Sequence, residues 1–407
     1  MDRLGSDRRA MWALVALATA AFAYVTAELL PVGLLTVMAA DLDRSPSETG
    51  LLVTGYAVVV VLASLPLTRL TRRVPRRRLL TVTLAVFAAG ALLSAVAPSY
   101  PVLLGGRMLI ALTQALFWSV VATTATDLFP PALRGRVVAR LAIGNSLAPV
   151  IGVPAGTWLG QQAGWRTSFA VMAAVGLAVC LTVALLLPAD RVRSHEAGRG
   201  TEPDGRRYAI LVVATLIAVT GFLTAYTYIT PFLLEVGGFA PAALSPLLLA
   251  GGISGVTGTL AVGPFLDRHP RGTLLVPLGM VTCALAALYA LGGVKPAAVV
   301  GLCVMSIGFS AMVTSMQNRT LHVAPGSTDL ASAGISSGFN VGIATGSLLG
   351  GAVLDGAGAR DLAATGAVLT AAALVVLLSE RWLAPAGRRA APEPAAAAEA
   401  PVAGPCR

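Results

Sequence analysis

Long apolar runs alternate with short polar islands along most of the chain. A run of about 20 apolar residues crosses the ~30 Å hydrocarbon layer as a helix. On that rule the pattern predicts twelve spans. Six fall at 12–38, 48–69, 78–97, 101–124, 136–160 and 166–187, and six more at 208–234, 243–266, 272–292, 296–322, 330–354 and 361–383. The charged, Gly-rich gap between the sixth and seventh spans sits where two bundles would be tied together. The organisation expected is a cytoplasmic N-terminus at 1–11, a six-helix bundle at 12–187, a linker at 188–207, a second bundle at 208–383 and a disordered tail at 384–407. The tail is rich in Ala and Pro and has little to bury.

Composition supports lipid as the solvent. Hydrophobic residues make up 56% of the 407 residues and charged ones 12%, against roughly 25% charged in a soluble domain. The start, with Arg3, Arg8 and Arg9 ahead of an apolar run, has the outline of a secretory signal. That run continues from Trp12 to Met38 and carries Glu28, which is too long for a signal core. It is taken as the first span.

The net charge of +10 would suggest nucleic acid in a soluble protein. Here 24 of the 29 basic residues fall on the N-terminus, the even-to-odd loops and the tail, with four on the opposite side. Basic loops stay in the cytoplasm. Both termini are therefore expected in the cytoplasm of a multi-pass protein of a bacterial inner (plasma) membrane, with the lipid bilayer as partner and no nucleic acid.

Four scattered cysteines and three histidines in or near loops give no metal-ligand spacing. The one lysine, Lys295, follows Leu-Gly-Gly-Val and builds no phosphate loop. No cofactor, metal or enzyme chemistry is expected, and a motor driven by its own ATP hydrolysis is disfavoured.

Two ionisable side chains fall deep in the spans, Glu28 and Arg107. At ~1.5 Å per residue, Glu28 lies roughly 4–5 Å outward of the middle of its span and Arg107 roughly 8 Å outward of its own, close enough to pair. Intramembrane charges face a cavity or a partner. Burial favours a neutral acid and a nearby guanidinium favours its carboxylate, so a change in that balance would load or release a proton. Three readings stay open: a proton carrier tuned by Arg107, a fixed structural ion pair, or a binder of substrate charge.

Tyr24 shares a helical face with Glu28, and Gln114 shares one with Arg107. With Tyr56, and with Tyr226 and Tyr228 before Pro231, they are candidates for the wall of a substrate cavity. Packing and interfacial belts are the plainer roles of such tyrosines. Asn145 and Asn340 are cavity candidates or interhelical hydrogen-bond glue. Trp165-Arg166 reads as an interfacial anchor, and Glu380 near a span end as solvated.

The halves repeat. Arg73, Pro75, Arg76 and Leu79-Leu80 coincide with Arg268, Pro270, Arg271 and Leu274-Leu275, all 195 residues on, and the same offset places Asn145 on Asn340. Duplicated halves around a midplane site are a transporter design. Glycines at fourfold spacing, Gly144, Gly152 and Gly156 in the fifth span and Gly342, Gly346 and Gly350 in the eleventh, read as close-packing seams between helices.

These motifs resemble the major facilitator superfamily over about residues 12–383. Gly263-Pro-Phe-Leu-Asp267-Arg268-His-Pro270-Arg271 looks like its loop signature, with Pro270 replacing the second glycine; in the first-half copy Thr68 and Arg72 take the places of the first glycine and the aspartate. Arg107 after Leu103-Leu-Gly-Gly looks like the family's intramembrane arginine. The run from Gly144 through Ala148-Pro149, Gly152 and Pro154 to Gly156 resembles its antiporter motif. Val25-Thr-Ala-Glu28-Leu-Leu-Pro31 looks like the first span of twelve-helix drug:proton antiporters, the sugar-efflux and chloramphenicol-type exporters in particular.

The resemblance implies an all-α membrane protein of two pseudo-symmetric six-helix bundles, probing alternate sides of the membrane around one cavity. It implies gating by Arg73, Arg76, Gly152, Pro154, Gly156, Gly263, Asp267, Arg268 and Arg271, and coupling by Glu28 and Arg107. The expected activity is export of a small molecule (a drug, natural product or sugar) in exchange for protons, by a monomer. Facilitated diffusion or proton-coupled uptake of a sugar or other solute is the alternative.

Overall fold

The computed structural model describes residues 2–71, 73–130, 133–188, 202–266, 268–326 and 328–383. Most of the expected linker, the whole tail and Asp267 lie outside the described residues. Among the described residues there is no strand, and twelve helices are long and apolar enough to cross a membrane. A spanning segment in lipid must satisfy its backbone internally, and a helix does so.

The helices of the first half are α1 (Asp2–Asp41), α2 (Pro46–Thr71), α3 (Arg76–Ala95), α4 (Tyr100–Asp127), α5 (Arg134–Leu147, continuing to Ala163) and α6 (Trp165–Leu186). Those of the second are α7 (Gly205–Tyr226), α8 (Leu244–Val262), α9 (Gly272–Leu291), α10 (Lys295–Val323), α11 (Thr328–Ala357) and α12 (Ala359–Leu383). The predicted spans fall on these helices one for one.

Two helices are broken where proline removes a donor from the i to i−4 ladder. In α5, Pro149 lies within a widened π turn at Ala148–Gly152, and Pro154 follows it just after the helix resumes at Val153. Beyond α7 the chain passes through a short turn at Ile229–Pro231 and a π turn at Phe232–Val236.

The glycine seams lie within the halves. A Cβ at Gly144, Gly152 or Gly156 would strike Ala18, Thr26 or Leu30 of α1, and one at Gly342, Gly346 or Gly350 would meet α7 between Leu216 and Thr224, with Tyr228 just beyond it. The stripes thus bring α5 onto α1 and α11 onto α7.

Between the halves, α2 packs on α11, α5 on α8, and α1 on the turn after α7. Polar contacts cross this seam near the Arg-poor end. Ser47 Oγ lies 2.5 Å from Asp355 Oδ1 and 3.1 Å from the Gly351 carbonyl, and Ser347 Oγ donates to the Gly50 carbonyl at 2.9 Å. Thr230 donates to the Val32 carbonyl (3.2 Å), Ser245 to that of Pro154 (2.9 Å) and Gln161 to that of Pro241 (2.9 Å).

The apolar cores follow the same asymmetry. Near the Arg-poor end one cluster joins Val32, Val53, Ala57 and Val153 to Phe222, Leu248 and Leu302, and a smaller one joins Leu35 to Tyr228 and Leu362. Toward the arginine-bearing end the clusters separate: one holds residues of the first half alone, from Ala13 to Leu187, and another only residues of the second, from Leu211 to Leu377. Among the described residues, these apolar cores join the halves at the Arg-poor end and stay within each half at the other.

Two expectations at span ends are corrected. Trp165 is buried and donates to Asp41 Oδ2 at 3.0 Å, closing the α5–α6 corner against α1 instead of resting in an interface. Glu380 is buried, 3.7 Å from both Arg207 and Arg319. Helix packing places α12 beside α7, and the two guanidiniums offset the loss of water around its carboxylate.

Candidate functional site

Three-quarters of the way along α1, Pro31 has no N–H to give to the Ala27 carbonyl four residues earlier. Arg107 of α4 supplies a donor. Its side chain is 0% exposed; Nη1 donates to the Ala27 carbonyl, and Nη2 to the Glu28 carbonyl at 3.1 Å. The guanidinium carbon sits 4.5 Å from the centroid of the Tyr56 ring on α2, within cation–π range.

A second chain of hydrogen bonds runs beside it. Tyr56 Oη donates to Gln114 Oε1 at 2.5 Å, and Gln114 Nε2 donates to Glu28 Oε2 at 2.8 Å. Tyr56 and Gln114 are buried, while Glu28 is half-buried. Four predicted residues, Glu28, Arg107, Tyr56 and Gln114, are therefore brought together. The direct Glu28–Arg107 pair expected from their depths is replaced by an indirect one: Arg107 is spent on the backbone that Pro31 leaves open, and an amide holds the carboxylate.

Arg107 should accordingly carry much of the stability of the α1–α4 contact. Arg107→Met leaves the buried Ala27 carbonyl without a donor, at about 1–3 kcal/mol, and should lower the melting temperature of the purified protein in detergent by several degrees. Arg107→Lys should recover only part of the loss, because an ammonium lacks the planar fork that spans two acceptors. An unchanged melting temperature in Arg107→Met would remove this role.

The remaining cavity candidates separate. Tyr24 is buried in the first half's core, its ring 4.6 Å from those of Phe87 and Phe117 and its hydroxyl donating to the Thr83 carbonyl at 3.3 Å, so it does not line a cavity. Four residues before Glu28 is one full turn plus 40°, enough to aim it inward. Tyr228 is also fully buried; its hydroxyl donates to the Ser347 carbonyl at 3.0 Å, bracing the joined end. Asn145 is exposed on α5, and Asn340 turns back to the Ser336 carbonyl of its own helix at 3.0 Å.

Tyr226 belongs to a group of rings. It stacks on Phe222 (centroids 5.0 Å apart), Phe222 stacks on Phe309 (3.6 Å), and Phe309 lies 6.1 Å from Phe339. These rings from α7, α10 and α11 sit in or against the core that joins the halves, and Leu29, next to Glu28, packs against the same cluster. A polar wall from α1, α2 and α4 is thus set near an aromatic one from the second half. Phe222, Phe309 and Phe339 were missed in the sequence because single phenylalanines in apolar helices carry no local signal.

Of the gating candidates, Pro154 lies on the seam through its carbonyl, and Gly152 and Gly156 press on α1. Arg73 is exposed in the α2–α3 turn, and Arg76 donates to Thr123 Oγ1 of α4. Gly263 starts the turn after α8, and Arg268 and Arg271 line a cleft with Arg319. Ser47, Ser347 and Asp355 on the seam had not been singled out. Among the described residues no group of three or more His, Cys, Asp or Glu is placed to hold a metal.

The sequence profile of the Major Facilitator Superfamily matches residues 13–331. The chain belongs to this superfamily. Among relatives of this transporter, a probable sugar efflux transporter of Mannheimia succiniciproducens is 34% identical over 379 residues, covering 92% of this chain and 95% of that protein. A chloramphenicol efflux pump of Mycobacterium tuberculosis is 35% identical over 378 residues, covering 90% and 92%. Among solved structures, the fold resembles a bacterial homologue of the human lysosomal transporter Spinster, captured facing inward (TM-score 0.70, 16% identity, 92% and 98% covered). It also resembles a nucleoside transporter (TM-score 0.72, 13% identity, 91% and 99% covered). The superfamily and these relatives make the protein a membrane-embedded transporter of small molecules and not an enzyme.

Proposed function

We propose that this transporter exports a small amphipathic molecule in exchange for protons, with Glu28 as the proton carrier. The observation that carries the reading is the placement of Glu28: a half-buried carboxylate, free of a direct arginine partner, hydrogen-bonded through Gln114 to Tyr56. A group that must gain and lose a proton during transport cannot be locked to a fixed cation. Arg107 lies close enough to influence it, yet its Nη1 and Nη2 serve the Ala27 and Glu28 carbonyls.

Export is supported by the relatives named for efflux of sugar and chloramphenicol. The aromatic wall of Phe222, Tyr226, Phe309 and Phe339 favours a ligand with a planar or apolar part over a fully hydroxylated one. Excess arginine on one set of loops supports a cytoplasmic position for that end and both termini, in a bacterial inner membrane. On this reading the end where the apolar cores stay separate opens to the cytoplasm and the joined end closes the outside, one of the two states of alternating access. Rocking residues 12–187 against 208–383, as a monomer, gives the other.

The test is a screen in everted vesicles holding a pH-reporting dye, against apolar drugs and small sugars. A compound that triggers proton movement through the wild-type protein supports antiport and identifies the substrate class. Transport of a compound down its own gradient, without proton movement, would replace antiport by facilitated diffusion.

A further inference from the structure

We propose that the cleft at the arginine-bearing end of the second half is a binding site for the phosphate of an anionic phospholipid headgroup. It has a volume of about 530 Å³ and lies between the start of α7, the α8–α9 loop and the end of α10. Its lining includes Arg207, Arg268, Arg271 and Arg319, with His269 and Glu202.

The charges sort into two layers. Arg207 lies 3.3 Å from Asp204 and 3.7 Å from Glu380; Arg319 lies 3.7 Å from Glu380 and 3.6 Å from Glu202. These carboxylates are committed to the two deeper guanidiniums. Arg268 and Arg271 stand exposed at the rim, with His269 between them in sequence. The first turn of α9 adds to the positive field: it begins at Gly272 in the lining, holds no acidic residue and has no side-chain cap. Guanidiniums match phosphate oxygens in pairs.

Two exposed apolar side chains favour a lipid as the source of that phosphate. Phe265, 51% exposed, precedes Arg268 by three residues, and Leu321, 48% exposed, follows Arg319 by two. A cationic cleft with apolar neighbours at a helix end is the arrangement that holds anionic headgroups at a membrane surface. Among the described residues the first half does not repeat this set: 195 residues earlier, Arg319 and Glu380 become Thr124 and Leu185, and Arg76, the counterpart of Arg271, is turned onto Thr123. The site is a property of one half, not of the repeat.

The experiment is native mass spectrometry of the full-length protein in detergent, titrated with phosphatidylglycerol or with phosphatidylcholine. Arg268→Gln/Arg271→Gln is compared with Arg78→Gln, which changes an exposed arginine of the first half. The wild type should hold phosphatidylglycerol more tightly than phosphatidylcholine. The double variant should lose about fivefold in that preference for each arginine removed, and Arg78→Gln should keep it. Equal binding of the two lipids by the wild type, or an undiminished preference in the double variant, overturns the site. Displacement of phosphatidylglycerol by inorganic phosphate, in the wild type and not in the double variant, keeps the phosphate site and reassigns its source to the free anion. Both arginines being exposed, loss of fold is not expected, and an unaltered elution profile checks it.

Discussion

Glu28→Gln should abolish proton-driven efflux while leaving the protein folded and able to pass substrate down its gradient. Glutamine has nearly the shape of glutamate, and its carbonyl oxygen can still accept from Gln114 Nε2, now 2.8 Å from the carboxylate. Arg107 should be undisturbed, because its bonds go to the carbonyls of Ala27 and Glu28 and not to the side chain. What disappears is the site for a proton. One pH unit supplies about 1.4 kcal/mol per proton, and 100 mV adds about 2.3 kcal/mol per charge. Either term sustains at least about tenfold accumulation of substrate. In everted vesicles the variant's steady-state gradient should fall to unity, and substrate-triggered dye response should vanish, with facilitated exchange retained. A full dye response in Glu28→Gln would move the carrier elsewhere and leave Glu28 as a member of a structural network.

Gly252→Val should hold the joined end open. Gly252 of α8 sits against the broken turn of α5, where a Cβ would meet the Pro149 carbonyl carbon and the Val150 Cα at 2.7 Å each, and the Pro149 oxygen closer still. Backbone on both sides cannot yield as a side chain would. Overpacking costs about 1–3 kcal/mol, and here the cost falls on a contact that the two halves make in this state. The equilibrium should shift roughly fivefold to a hundredfold toward the form in which that end is parted. Spin labels at Gln162 and Lys295, on opposite halves near that end and in a background with the four cysteines replaced, should report a longer distance, and transport should fall with it. Gly279→Val is the control, since nothing lies within 4 Å of a Cβ there. An unchanged distance distribution in Gly252→Val would show that the seam tolerates the extra volume.

The twelve spans were legible because a bilayer imposes one length and one composition on every element. The cluster of Glu28, Arg107, Tyr56 and Gln114 was legible in part: intramembrane charge is costly enough to flag its own positions. Its wiring was not. Depth along a helix placed Glu28 beside Arg107, but the donor that α1 lacks at Pro31 decides where the guanidinium points. Tyr24 failed for a related reason, since a shared face at fourfold spacing is broad enough to include both a cavity and a core. Ser47, Ser347 and Asp355 pair across halves some 300 positions apart in the chain, and serines in apolar helices usually satisfy themselves on their own backbone. Glu380 looked solvated because sequence shows distance from a span's middle and not what packs beside its end.

The bond from Arg107 to the Ala27 carbonyl means that α1 does not own its complete hydrogen-bond ladder; one rung is on loan from α4. A helix interrupted by proline would ordinarily be a place to flex, yet here the interruption is where two helices are fastened together. Movement of α1 during transport must therefore carry α4 with it. In a genetic screen the two positions should behave as one: loss of Arg107 would be relieved most directly by replacing Pro31, which lets α1 restore its own rung.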